Sequence, residues 1–269
     1  MKWRGMLPAV MLAWGLTLPV AAQVAPPSLA AEEVIGRFLE RSRTTTNRLA
    51  AQHHICIRRT VMEELADDGT VKERKTKEQS VELRGEHQHI RLLKLDDRAP
   101  TADEKRRELE REAEQKKTFT ERKDKPRSRG PDFVDEKLIR RFVYESDGTE
   151  LLNGRMTYVL KFSPVADPVA KDNADRALNL LTGRIWIDVE EFELVKVEAH
   201  LKEPLTVLGG LVAKVERLDF AVERRRLSDG LWFNTSLVTR AEGRKLFSAF
   251  HMRSRIEQDD FRPLPGTER

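Results

Sequence analysis

The sequence predicts an α+β fold in which a strongly curved antiparallel sheet forms an incomplete β-barrel covered by helices. Residues 182 to 260 repeat strand, turn and strand with almost no helical period. Within that tract apolar residues alternate. Ile185, Ile187 and Val189 share one face, and Leu246, Phe250, Met252 and Ile256 belong to a second period-two stripe. The alternation also changes phase, from Leu211, Ala213 and Val215 to Leu218, Phe220 and Val222. A phase change needs a bulge, and bulges and glycines bend sheets, so curvature follows as the expectation.

The N-terminus sets the expected compartment. Lys2 and Arg4 precede an apolar run from Leu7 to Val20, and Val20-Ala21-Ala22 fits a small-residue cleavage site. Residues 1–22 therefore read as a secretory signal peptide, giving an exported, soluble protein, periplasmic in a Gram-negative host. Residues 23–262 are expected to form a single half-barrel domain with a charged insertion at 101–129 and a tail at 263–269. After Ser28, Val34, Ile35, Phe38 and Leu39 mark a narrow apolar stripe on a helix spanning about 30–50. So narrow a stripe is marginal in water, and this helix must dock on the sheet.

His53 to Leu65 reads as the first strand, with Asp67-Asp68-Gly69 as its turn. Val71 to Val81 is a polar return strand whose Lys72, Lys75 and Lys77 suit an edge. A third strand runs from Val81 to Leu95 with a bulge near Gly85. Residues 101–125 are rich in helix formers, with only Leu109 and Phe119 strongly apolar. That pattern reads as a solvated helix or a partly disordered insertion; an envelope-protein-binding arm is the alternative. A short helix is expected at 132–140. Met156, Tyr158, Leu160 and Phe162 then form one clean strand face, and Asp167-Pro168 opens a helix to 181. Strands follow at 184–190, 194–201, 206–226, 231–241 and 244–258, with Val195, Val197, Ala199 and Leu201 continuing a single face.

Composition narrows the chemistry. Charged residues make up 35% of the chain against 39% hydrophobic, which suits a thin sheet with one solvated face. The net charge of +4 comes from interleaved signs. With no aromatic-basic module, it argues against nucleic acid and leaves transient membrane-surface contact as its natural use. Cys56 is the only cysteine, so no internal disulfide forms and a buried, inert thiol is expected. His53-His54 and the His87, His89 pair lack further ligands for a metal. Asp188, Glu190, Glu191 and Glu193 read as a solvated acidic turn. Gly209-Gly210 lacks a phosphate-loop lysine, and Ser228 lacks a nucleophile elbow. No motif calls for a cofactor, and no catalytic grouping stands out. Trp186, Trp232 and Phe233 suit either an apolar ligand or ordinary core layers.

The run Leu181-Thr182-Gly183-Arg184-Ile185-Trp186-Ile187-Asp188, followed by Leu194-Val195-Lys196-Val197-Glu198, resembles bacterial outer-membrane lipoprotein-sorting proteins. Asp229-Gly230-Leu231-Trp232-Phe233 and Asp259-Asp260-Phe261-Arg262 extend the resemblance, which lies mainly in residues 140–262. It implies a LolA/LolB-like half-barrel around an apolar cavity, in a superfamily that carries or receives lipoproteins or binds lipids. The charged stretch at 101–129 departs from that pattern, and no lipid-attachment cysteine follows the cleavage site. The expected function is periplasmic binding or transport of a lipoprotein acyl chain or another lipid-like ligand, without covalent catalysis. Ile185, Ile187, Val195 and Val197 are the candidate ligand-lining residues. An envelope scaffold with a filled core is the alternative, and a lipid-ester hydrolase a weaker one.

Overall fold

The computed structural model describes residues 29–43, 53–84, 87–121, 136–166, 169–171, 173–207, 213–228, 230–246 and 248–264. The expected signal peptide, Ser28 cap, continuation of the first helix beyond 43, Gly85 bulge, Asp167-Pro168 cap and Gly209-Gly210 bend lie outside them, as do residues 126–131 and 265–269.

The chain opens with helix α1 (Ala31–Arg43), followed by β1 (His54–Leu65), β2 (Val71–Arg84) and β3 (His87–Leu95). Helices α2 (Ala102–Glu121) and α3 (Glu136–Ile139) lead to β4 (Phe142–Leu152) and β5 (Arg155–Pro164). The one-and-a-half-turn helix α4 (Asn173–Leu178) precedes β6 (Leu181–Asp188), β7 (Leu194–Leu201), β8 (Leu205–Val207), β9 (Ala213–Arg226), β10 (Trp232–Lys245) and β11 (Ser248–Pro263). All eleven strands belong to one antiparallel sheet, ordered β3-β2-β1-β11-β10-β9-β7-β6-β5-β4 with β8 beside β9. The N-terminal and C-terminal hairpin series are joined by β1 pairing with β11.

The incomplete-barrel expectation is wrong. The sheet is large and antiparallel but neither strongly curled nor closed. Closure requires the two end strands to meet, and β3 and β4 stand at opposite ends of the order. The predicted phase break is present: β10 pairs with Arg217 and then Val215, so Glu216 is the extra residue. Such bulges are absorbed as local register shifts, after which pairing resumes with the same neighbour. Alternation and bulges therefore specify pairing, but do not by themselves sum to strong curvature.

Local chemistry explains several elements. Asn153 (φ 52°) and Gly154 (φ 78°) turn the β4–β5 hairpin, and a two-residue turn of this hand needs positive φ at both positions. At Gly183 a Cβ would overlap the Glu198 carbonyl on β7, so only glycine lets β6 pass there. Helix α1 buries Val34 completely and leaves Phe38 3% exposed. They pack with Tyr158, Leu160, Ile185 and Ile187 into the main core.

Helix α2 begins with a capping box. The Glu104 N–H donates to Thr101 Oγ1 at 3.2 Å, and the Thr101 N–H donates to Glu104 Oε2 at 2.8 Å. Arg98 donates to both Glu104 oxygens at 2.9 and 2.7 Å. The helix is therefore pinned at its start. The Arg98 hydrogen bonds, with help from Thr101, hold the Glu104 carboxyl down at about 2. A depressed carboxylate stabilises the fold above its unfolded value and loses that contribution as pH falls through the folded value. The cap should thus stay intact at pH 5 and fade between about 4.5 and about 2. Amide exchange of residues 102–106 across that range checks this, and Glu104→Gln should flatten the dependence.

Candidate functional site: one apolar and one ionic face

Directly paired residues in an antiparallel sheet project to the same side, so the register defines each face. One row runs Leu160, Ile185, Val197, Val222, Leu237, Ile256, Thr60 and Lys77 across eight strands. The adjoining row runs Phe162, Gly183, Ala199, Phe220, Thr239, Ser254, Met62 and Lys75. Both belong to the face that carries α1, because Leu160, Phe162 and Ile185 pack beneath that helix.

Helix α2 lies on the same face at the other end of these rows. Lys77 Nζ reaches Glu108 Oε2 at 3.2 Å, and Gln79 Nε2 donates to Glu108 Oε1 at 3.0 Å. Helix α1 covers the β5–β7 end, and α2 is tied to β2. Between them lie β9, β10, β11 and β1. Their outer axes are about 14 Å apart, from three spacings of about 4.8 Å. The floor there is mainly apolar: Val222, Leu237, Ile256, Phe220 and Met62 are each half-buried, Met252 is 47% exposed, and the small hydroxyl residues Thr60, Thr239 and Ser254 stand among them.

The opposite face is ionic. Its rows read His200, Asp219, Arg240, Arg253, Glu63, Arg74 and Lys196, Glu223, Ser236, Glu257, Arg59, Glu78, Lys94. Arg253 pairs with Glu63 at 2.6 Å, and Glu78 with both Arg59 at 3.2 Å and Lys94 at 3.1 Å. Cross-strand pairs of this kind suit a solvated surface, and the floor between the helices is the face left apolar.

The four predicted lining residues separate. Ile185 and Ile187 are buried in the α1 core, at 6% and 0% exposure. Val197 sits at its margin on the same face. Val195 belongs to a second cluster with Val159, Trp186 and Trp232. The reason is a bulge: Trp186 pairs with Lys196 and Ile187 with Leu194, leaving Val195 as the extra residue. The single face read through Val195, Val197, Ala199 and Leu201 is corrected accordingly. Trp186 and Trp232 close this second cluster as core, and Phe233 packs on His54 and Phe261 with ring centroids 5.0 and 4.6 Å away. Cys56 is buried, as expected.

The acidic turn is only partly solvated: Glu190 is exposed, but Asp188 and Glu193 are not. Asp188 is 1% exposed and Glu193 8%. Arg155 donates to both Asp188 oxygens at 2.6 and 2.8 Å, while the N–H groups of Glu190 and Glu191 donate to Asp188 Oδ1 at 3.0 and 2.8 Å. The hydrogen bonds to Asp188 raise the Arg155 guanidinium further above its usual range. Glu193 accepts from Arg41 of α1 and Arg224 of β9, each at 3.1 Å. Trp232 Nε1 donates to Glu191 at 2.9 Å. These carboxylates are thus a clamp joining α1, β5, β9 and the β6–β7 turn. Their acid spacing gave no sign of this, because the arginines come from distant elements.

Among the described residues, no group of three or more His, Cys, Asp or Glu side chains is placed to hold a metal ion, and no helix is long and apolar enough to cross a membrane.

No family model matches the chain, and no curated protein matches it. Among solved structures it is similar to a putative outer membrane lipoprotein-sorting protein domain from Vibrio parahaemolyticus, at 12% identity and a TM-score of 0.33, covering 88% of this chain and 94% of that one. A DUF1329 family protein from Desulfovibrio piger matches at 11% identity and 0.35, over 90% and 96%. A LolA superfamily protein from Nitrosomonas europaea matches at 12% and 0.30, over 90% and 96%. These are distant structural resemblances.

Proposed function

We propose that this protein binds aliphatic acyl chains noncovalently on the apolar floor between α1 and α2. The observation that carries this reading is the continuation of the buried row Leu160–Ile185–Val197 into Val222, Leu237 and Ile256, where neither helix covers it. The other side of the same strands is ionic. Ile185 and Ile187 anchor the closed end under α1, and Val197 stands at the entry to the open floor. Val195, on the other side, supports the strands.

Each methylene removed from water contributes about 0.8 kcal/mol, so eight buried methylenes give roughly 6 kcal/mol before ordering costs. That suffices for reversible capture without chemistry. In this reading the protein acts in the periplasm as a carrier or receiver of a lipoprotein acyl chain or another lipid-like molecule, with transient membrane-surface contact and no cofactor. The width of the floor also admits a second occupant: an amphipathic helix is about 10–12 Å across and fits in about 14 Å.

A fluorescent N-acyl lipopeptide separates the two. Leu237→Asp should weaken its binding about 30-fold or more, since an unpaired carboxylate under an acyl chain costs about 2 kcal/mol or more. Val238→Asp, on the ionic face, should leave binding unchanged. Equal affinity of wild type and Leu237→Asp for the lipopeptide, or no binding at all, contradicts the acyl-chain reading.

A further inference from the structure

We propose that the groove between β3 and α2 is a second, separate ligand site, which takes a single-chain aliphatic carboxylate. Its volume is about 700 Å³, within the range of small-molecule pockets. Ile90, Leu92, Leu93, Ala99, Pro100 and Leu109 supply an apolar lining. Leu92 is 7% exposed, whereas Leu109 on the helix is 62% exposed. The floor of the groove is therefore part of the fold, and its wall is free to meet a ligand.

Charge selects the head group. The groove is lined by three charged groups: Arg91 on β3, and Lys105 and Glu108 on α2. Glu108 is already matched by Lys77 and Gln79 at 3.2 and 3.0 Å. Lys105 is exposed, and among the described residues no carboxylate pairs with it. Lys105 and Leu109 are four residues apart on one helix, so a single molecule can meet both. An ammonium beside an apolar lining, with the local carboxylate neutralised, matches an anionic head on an aliphatic tail. The capping box at Thr101–Glu104 and the Glu108 contacts fix this half of α2 against the sheet, so the groove is built before a ligand arrives. The site does not depend on the central floor, which lies beyond Lys77 on the other side of those contacts.

The test is calorimetric titration of the full-length mature chain with decanoate, dodecanoate and dodecanol. Dodecanoate should bind more tightly than dodecanol, and each added methylene should tighten binding by up to about fourfold. Lys105→Ala should reduce the preference for carboxylate, and Lys105→Ala combined with Arg91→Ala should remove it, with dodecanol binding left in place. Leu109→Asp, at an exposed position that leaves the fold intact, should lower dodecanoate affinity about tenfold or more. Leu237→Asp on the central floor should not change the carboxylate-selective component. The proposal is overturned if the Arg91→Ala, Lys105→Ala double variant keeps the carboxylate preference, if Leu109→Asp binds dodecanoate like wild type, or if only Leu237→Asp abolishes binding. In the last case the central floor alone is the acyl site.

Discussion

Asp188→Ala is expected to cost about 3–5 kcal/mol of folding stability, the range for breaking a buried ion pair by removing one partner. The carboxylate is 1% exposed and receives four hydrogen bonds: two from Arg155 and one each from the N–H groups of Glu190 and Glu191. Its loss leaves the Arg155 guanidinium to Glu190 at 2.9 Å and Glu191 at 3.6 Å, and unties the β6–β7 turn. Asp188→Asn retains the acceptor oxygen but loses the charge, so its cost should fall between wild type and alanine. Denaturant unfolding measures both. A loss under 1 kcal/mol for Asp188→Ala would show that water replaces the clamp.

Phe38→Ala should lose about 3–5 kcal/mol, the range for removing a large buried aromatic side chain. Phe38 is 3% exposed in the cluster that also holds Leu160, Ile185 and Ile187. It is the largest apolar side chain that α1 inserts there, so the variant should unfold at lower denaturant and bare part of the buried row. Binding of a hydrophobic dye before the main unfolding transition would report that local release. An unchanged midpoint would place the main core elsewhere than beneath α1.

Much of the pairing was written in the sequence. Period-two stripes located the strands, Asn153-Gly154 located a hairpin, and the change from Val215 to Leu218 located the bulge at Glu216. The absence of strong curvature was not legible, because curvature depends on how twist and bulges combine across the eleven described strands, not on any one of them. The placement of the candidate lining residues was only partly legible. Ile185, Ile187 and Val197 do share the α1 face, but Val195 does not, since its bulge arises from pairing with Trp186 and Ile187 rather than from its own neighbours. Val222, Leu237 and Ile256 come together only through strand order, which places β11 between β10 and β1. The clamp around Asp188 was illegible for the same reason: Arg155, Arg224 and Arg41 are brought to it from different elements. Capping at α2 was readable, since Thr101 and Glu104 have the capping-box spacing, but the dense charge of residues 101–125 masked it.

The central claim concerns which face of the sheet receives the acyl chain, and the molecule carries its own control. Val222, Leu237 and Ile256 lie on the floor between the helices, while Val61 and Val238 lie in one row of the ionic face, both opposite Arg255. Methyl NMR with a nitroxide-bearing stearate reads both sides at once. Selective broadening of the Val222, Leu237 and Ile256 methyls, with Val61 and Val238 left sharp, is the predicted result. Broadening centred on Val61 and Val238, or none on either face at saturating probe, would contradict it.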